Sequence, residues 1–235
     1  MSNLTLYRFT LSGHSHRAEL FTSLLKLDVN MVDVALQNGA QKQADFLKMN
    51  IFGQVPVLKH NDDIINDSNA ILLYLAQKFD ANRTWYPEDI TVQAHIQRWL
   101  SVAAGLVASG PCSARLVTVF GAELDHQNAI NIAHTLFKTM DAYLQNREYL
   151  VGTQPTIADI ANFSYIAHAP EGGVSLSEYP NILRWLSNVR KLDGYIAMPE
   201  TEAGLLLPLF LLGICTVKCC PALNGNKVVL LCPSK

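Results

Sequence analysis

The sequence predicts an α+β protein in which a small α/β domain precedes an all-helical one. Three observations carry that prediction. Strand-like alternation of apolar and polar residues is confined to residues 4–66, and helical periods fill residues 93–191. Between them lies a break, Asp80-Ala81-Asn82-Arg83 and Trp85-Tyr86-Pro87, with the turn formers of a linker. The 235 residues, 49% of them hydrophobic, suffice to bury a core without disulfides or a metal. At roughly 100–200 residues per domain, that length suits two modest domains or one large one.

Each element has a local reason. Residues 4–9, LTLYRF, alternate as a short strand and end in the turn-like Leu11-Ser12-Gly13-His14. From Ser15 onward Ala18, Phe21, Leu24 and Leu25 share one helical face. Residues 29–36 are β-branched enough for a second strand, and 37–45 form a polar connection. Val55-Pro56-Val57-Leu58 and Ile64-Ile65 read as a hairpin turning at His60-Asn61-Asp62-Asp63. Asp67-Ser68 then caps a helix whose apolar set is Ala70, Ile71, Leu72, Leu75, Ala76 and Phe79. Past the break, helices are predicted over 93–108, 129–144, 155–167 and 180–191. The last two are opened by prolines near the first turn, where a missing N–H does no harm. Thr156-Ile157-Ala158-Asp159 is a capping box. The expected division is 1–80, 89–202 and an atypical tail, 203–235.

Charge and cysteine placement narrow the function. Lys and Arg number 18 against 20 Asp and Glu, a net charge of −2. Tracking a phosphate backbone needs a clustered cationic excess, so no nucleic-acid partner is expected. The N-terminal MSNLTLYRFT lacks the basic and apolar regions of a signal peptide, so a cytoplasmic location is expected. The seven histidines show no H-E-x-x-H spacing and no paired cysteines, so no metal site is expected. Gly13-His14-Ser15-His16-Arg17 lacks the closing glycine of a hydrolase nucleophile elbow. Cys112 stands alone and reads as a buried structural thiol. The other four cysteines, Cys215, Cys219, Cys220 and Cys232, crowd into the tail, which has no acidic residue. Its run of 15 uncharged residues between Glu202 and Lys218 is too short to span a bilayer. Two readings of the tail stay open: membrane or subunit contact, with Cys219-Cys220 open to palmitoylation, or a non-native extension.

Three motifs in register carry a family resemblance. They are Phe52-Gly53-Gln54-Val55-Pro56-Val57-Leu58, Asn66-Asp67-Ser68-Asn69-Ala70-Ile71-Leu72 with Tyr74-Leu75, and Pro155-Thr156-Ile157-Ala158-Asp159-Ile160. With Gln97-Arg98-Trp99-Leu100-Ser101 and Ala169-Pro170-Glu171-Gly172, they make residues 3–201 resemble the cytosolic glutathione S-transferases, in particular bacterial, serine-type, theta-like members. The resemblance implies a thioredoxin-like N-terminal domain, an all-α helical-bundle C-terminal domain, glutathione as co-substrate and a homodimer. Ile51 departs from the family, where many members have Pro.

The candidate binding residues can also be read physically. Pro56 between valines must lie at a strand edge or terminus, or in a cis bond. The resemblance implies cis, turning the Val55 backbone toward an extended peptide that pairs as an added strand. Asp67-Ser68 opens a helix whose free N–H groups and positive dipole end favour a carboxylate, or it is a plain cap. By resemblance it holds the γ-glutamyl end of glutathione. Gln54 and Lys42 fall where the family contacts the glycyl carboxylate, although Gln41-Lys42 equally suits a solvated loop.

The catalytic position is the turn where thioredoxin-like redox proteins carry Cys-x-x-Cys. Here it reads Ser12-Gly13-His14-Ser15, so no dithiol can cycle. A hydroxyl can instead donate to a thiolate. Lowering a thiol from a pKa of about 8.5 by about two units needs ~2.7 kcal/mol, and one hydrogen bond to a charged group supplies ~1.5–3 kcal/mol. One hydroxyl suffices. Ser12 is the first choice, with Ser15 and Tyr7 as alternates; Ser15 is expected to cap the first helix and Tyr7 to be structural. His14 either touches the sulfur or lines the turn. Trp99, Arg115 and Tyr165 are expected to wall a second-substrate site, with Phe120 among further residues considered. The expected function is conjugation of the glutathione thiolate to small electrophiles. A non-catalytic glutathione-binding module and a glutathione-dependent peroxidase or dehalogenase are the alternatives.

Overall fold

The computed structural model describes residues 4–203, so the expectations for the tail fall almost wholly outside the described residues. A four-stranded mixed sheet, ordered β2-β1-β3-β4, is followed by a helical bundle. β1 (Leu4–Arg8) leads through α1 (Gly13–Leu24) to the parallel β2 (Asn30–Asp33). α2 (Ala44–Met49) follows. β3 (Val57–His60) and β4 (Asp63–Asn66) then form the hairpin, with β3 antiparallel to β1. Period-two alternation divides the sheet's faces. Leu4, Leu6 and Leu58 pack with α1 and α3 (Ser68–Phe79), while Val57 and Tyr7 join Val34 and Phe46 beneath α2.

Two expectations in this half need correction. The second strand spans only Asn30–Asp33: beyond it Val34 donates to the Arg8 carbonyl, and Leu36–Asn38 winds into a 3-10 turn. The cap of α1 is Ser12, not Ser15. Ser12 Oγ accepts the Ser15 N–H at 3.3 Å. Ser15, fully buried, instead accepts the Phe9 N–H at 3.1 Å and satisfies the end of β1. Both hydroxyls suit a cap; the orphaned strand amide decides which serves it.

The helical half begins with a run longer than its pattern suggested. α4 (Ile90–Val102) continues through a π-helical stretch, Ala103–Cys112, into α5 (Ser113–Phe120), so Gly110-Pro111 interrupts nothing. Gly110 lets α6 (His126–Leu144) approach closely, since a Cβ there would meet the Ala133 backbone nitrogen at 3.0 Å. α7 (Ile157–Ala167) carries the expected capping box, with Pro155 before the cap, and α8 (Pro180–Arg190) has Pro180 in its first turn. After α8 the chain returns over α1. Ser23 Oγ donates to Gly194 O at 2.7 Å, and His16 Nε2 lies 3.0 Å from Ile196 O.

Asp159 ties this half together. Fully buried, it accepts Leu150 N–H at 2.8 Å, Thr156 N–H at 2.9 Å and the Trp185 indole N–H at 2.8 Å. Burial nevertheless pushes its carboxyl up to about 6, against those hydrogen bonds. Because that exceeds the unfolded value of about 3.9, the native state takes up this proton first as pH falls. The group therefore adds stability between about pH 6 and 4. Asp159→Ala strands three buried donors and is expected to cost about 3 kcal/mol in denaturant unfolding. With Asp159→Asn, which cannot titrate, the stability advantage of the parent over the variant should widen from pH 6 to 4; a constant difference would show that Asp159 titrates normally.

Candidate active site

The turn between β1 and α1 is built by both halves. Ser12 N–H donates to Phe9 O at 2.9 Å, closing the turn. From α5, Arg115 Nη1 donates to Leu11 O at 2.9 Å, while its Nε pairs with Glu171. From α7, the Tyr165 ring packs beneath Gly13. A Cβ on Gly13 would sit 2.8 Å from that ring, so the close approach requires glycine. Ser12 is half-buried. Its oxygen accepts the Ser15 amide, and its own O–H has no acceptor among the described residues.

The first turns of α1 and α3 converge beside it. Asp67, the exposed cap of α3, holds φ at 72°, in the left-handed region, and accepts the Asn69 and Ala70 N–H groups at 2.8 and 3.1 Å. Such backbone strain in a non-glycine residue persists where surroundings enforce it, often at functional sites. Ser68 is buried: its Oγ accepts from Arg17 Nη1 at 2.8 Å and meets His14 Nδ1 at 3.2 Å. Burial, aided by the Arg17 charge, pushes His14 down to about 3, so its imidazole is neutral at physiological pH.

The Val55–Pro56 bond is cis, and Pro56 lies just ahead of β3, where its missing N–H leaves the ladder intact. Val57 pairs with Asn66, the residue before Asp67, so the end of β3 that follows Pro56 adjoins the segment that enters α3. Lys42 reaches the same loop: its Nζ donates to Phe52 O at 3.3 Å. Gly53, at φ 58°, has Lys42 Nζ 2.9 Å from where its Cβ would stand. Buried Asn50 pins the loop by donating to Gln54 O at 2.9 Å. The first turns of α1 and α3 thus bring Ser12, His14, Asp67 and Ser68 together, while Val55-Pro56 leads into the end of β3 that pairs beside Asp67, and Gln54 and Lys42 share the loop before it.

Other expected residues lie elsewhere. Ser15 is sealed in, and Tyr7 packs edge-on to Phe46 in the smaller core cluster. Trp99, Arg115 and Tyr165, expected to wall a second-substrate site, lie within the helical bundle. All three are buried: Arg115 pairs with Glu171, Tyr165 packs against Gly13 and the His14 ring, and Trp99 packs on Tyr143 beside a separate groove between α4 and α6. Apolar periodicity cannot distinguish a core stripe from a cleft wall. The accessible apolar surface near Ser12 is instead Phe9 and Leu11, with Phe120 6.1 Å from Phe9 and 43% exposed. Two residues escaped the sequence reading: Phe9, inside a strand pattern, and Arg17, whose charge within the apolar face of α1 was the available signal.

Fold and site together define a thioredoxin-like enzyme whose redox thiols are replaced by hydroxyls. The family model for the glutathione S-transferase N-terminal domain matches residues 2–77, and that for the C-terminal domain matches residues 122–193. Glutathione S-transferase 3 of Zea mays is 30% identical over 220 residues, covering 88% of this chain and 97% of its own length. Human glutathione S-transferase theta-2 is 27% identical over 212 residues, covering 86% of this chain and 87% of its own. A glutathione S-transferase structure from Pseudomonas fluorescens superposes with a TM-score of 0.79 at 26% identity, covering 84% of this chain and 99% of that one. A glutathione transferase homologue from Drosophila mojavensis, solved with bound glutathione, gives 0.75 at 27%, covering 82% and 89%. The chain belongs to the glutathione S-transferase family.

Because Gly13 admits the Tyr165 ring, Gly13→Ala is expected to destabilise by about 1–3 kcal/mol through overpacking. The penalty should shrink when Tyr165→Leu is added, as measured by urea unfolding of both singles and the double.

Proposed function

We propose that this transferase conjugates the glutathione thiolate to small electrophiles, with the Ser12 hydroxyl stabilising the anion. The supporting observation is the state of Ser12: a half-exposed cap of α1 with its proton unspent, beside the first turn of α3. On this reading residues 1–80 bind glutathione, and residues 89–202 contribute Phe120 to a second wall shared with Phe9 and Leu11. The Val55 backbone pairs with the cysteinyl residue, Asp67 and Ser68 hold the γ-glutamyl end, and Lys42 and Gln54 face the glycyl carboxylate. His14, neutral, lines the site between Ser68 and Tyr165. Ser12 donates its O–H to the sulfur, which attacks an electrophilic carbon; the displaced group leaves with the bonding electrons, or the carbanion of an addition takes a proton from water. Holding both reactants in one cleft supplies further acceleration through proximity. Phe9, Leu11 and Phe120 suit an apolar electrophile. No general base is needed, since Ser12 gives a hydrogen bond and keeps its proton. The cytoplasm, where glutathione is abundant, is the location this chemistry suits.

Two apolar features support the homodimer. Ile51 and Phe52 are 79% and 67% exposed on the loop after α2. The groove of about 450 Å³ between α4 and α6 is lined by Trp99, Val102, Leu106, Ile132, Met140 and Tyr143, among others. In a two-fold dimer each copy offers the knob and the hole reciprocally.

Ultraviolet thiolate absorbance of bound glutathione, titrated against pH, tests the mechanism. The bound thiol should ionise about two pH units below free glutathione, and Ser12→Ala should restore one to two units, with kcat/KM falling about 10- to 100-fold. An unchanged bound thiol would replace catalysis with ligand binding alone. For the assembly, sedimentation should show a dimer that Phe52→Asp dissociates; a Phe52→Asp dimer as tight as the parent would place the interface elsewhere.

A further inference from the structure

Helix α1 buries a charge that no carboxylate touches among the described residues, although the exposed Asp67 lies close enough to offset part of it. Arg17 is 1% exposed and forms no ion pair among the described residues. Its Nη1 donates to Ser68 Oγ at 2.8 Å and to Asn69 Oδ1 at 2.9 Å, while its Nε and Nη2 have no partner among the described residues. Arg115, equally buried, is paired with Glu171, so a carboxylate accompanies a guanidinium elsewhere in this fold. An uncompensated buried ion is strongly unfavourable, and replacing buried ionic groups by well-packed apolar residues is often neutral or stabilising. Stability alone therefore does not account for an arginine here. Burial lowers its pKa only to about 10, so the charge persists at neutral pH.

The place of the charge supplies a reason. The first turns of α1 and α3 converge on Ser68, each bringing the positive end of a helix. The Asp67 carboxylate is already engaged in capping α3. Ser68 Oγ accepts from Arg17 and, when the neutral His14 carries its proton on Nδ1, from His14 as well; in that tautomer the Ser68 O–H is left to donate outward, and a hydroxyl that accepts from a cation is the stronger donor. An anion at the mouth of α3 would receive that proton and feel the guanidinium behind it.

We infer that Arg17 is a positioning residue for the α-carboxylate of the γ-glutamyl group, acting through the Ser68 hydroxyl. The inference rests on the proposed placement of that group at Asp67-Ser68. It assigns the discrimination of glutathione from uncharged or truncated thiols to a side chain that never touches the ligand.

Calorimetric titration of the full chain with two ligands tests it: glutathione, and γ-aminobutyryl-cysteinyl-glycine, which lacks only the α-carboxylate. Arg17→Met should weaken glutathione binding about 10- to 100-fold, leave the analogue within about twofold, and melt without ligand no lower than the parent. Arg17→Lys, keeping the charge, should recover part of the loss. Equal weakening of both ligands would mean that Arg17 merely props α1, and no weakening would also overturn the inference. A parent protein that binds glutathione and analogue equally would instead overturn the placement of the γ-glutamyl group, whatever the variants do. Should Arg17→Met fail to fold, Arg17→Gln, which can still donate to Ser68, is read by the same pair of ligands.

Discussion

The contact between Gly13 and the Tyr165 ring is the constraint on which the site depends. Without a Cβ at position 13, α1 settles directly on α7, and the turn carrying Ser12 comes to the boundary between sheet and bundle. The ring is held in turn by its burial within the bundle and by edge contact with the His14 ring. The bundle then grips the same turn from a second side, through Arg115 and the Leu11 carbonyl. Arg115 is fixed by Glu171, which also accepts the Thr201 N–H at 2.6 Å. The turn that holds the proposed catalytic hydroxyl is thus positioned less by its own strand than by α5, α7 and the returning C-terminal segment. Preorganisation of this kind requires rigid supports from several elements.

Electrostatics gives the site its sign. Two helix N-termini meet at Ser68, Arg17 lies buried behind them, and burial keeps the nearest histidine neutral. Asp67 offsets part of this, but its exposed carboxylate accepts the amides of its own helix, so its charge is shared with groups that need it for capping. A tripeptide with a carboxylate at each end and a thiol in the middle fits such a field. In the proposed pose one carboxylate faces the α3 end and the other faces Lys42, with the sulfur left near Ser12.

How much of this could be read from the sequence depended on how local each cause was. Asp67-Ser68, Thr156 with Asp159, and Val55-Pro56 act within a few residues, and each appears where its pattern placed it. The helix through Gly110-Pro111 did not announce itself, because the two strongest local breakers adjoin there; its continuation depends on π-helical winding and on close packing against Ala133. The start of α1 was misplaced by three residues because either serine could cap it, and the choice fell to an amide six residues upstream of Ser15. Arg17 shared a face with Ala18 and Phe21, so its burial was visible in principle. The absence of a carboxylate partner was not, since that is a property of neighbours brought from α3 and α7.

The same turn explains why this thioredoxin-like layer supports conjugation and not disulfide exchange. In a dithiol turn both sulfurs belong to the protein, and the second resolves what the first attacks. Here the second position, Ser15, is buried and committed to the end of β1, while Ser12 stays half-exposed. A lone hydroxyl with a pKa far above neutrality is a poor nucleophile without an adjacent base, and the neighbouring His14 is bonded to Ser68. What that hydroxyl can do is lend a hydrogen bond. Chemistry at such a site must therefore use a sulfur that arrives with the ligand, and the protein's part is to orient that sulfur, stabilise its anion and leave an apolar wall open for what it attacks.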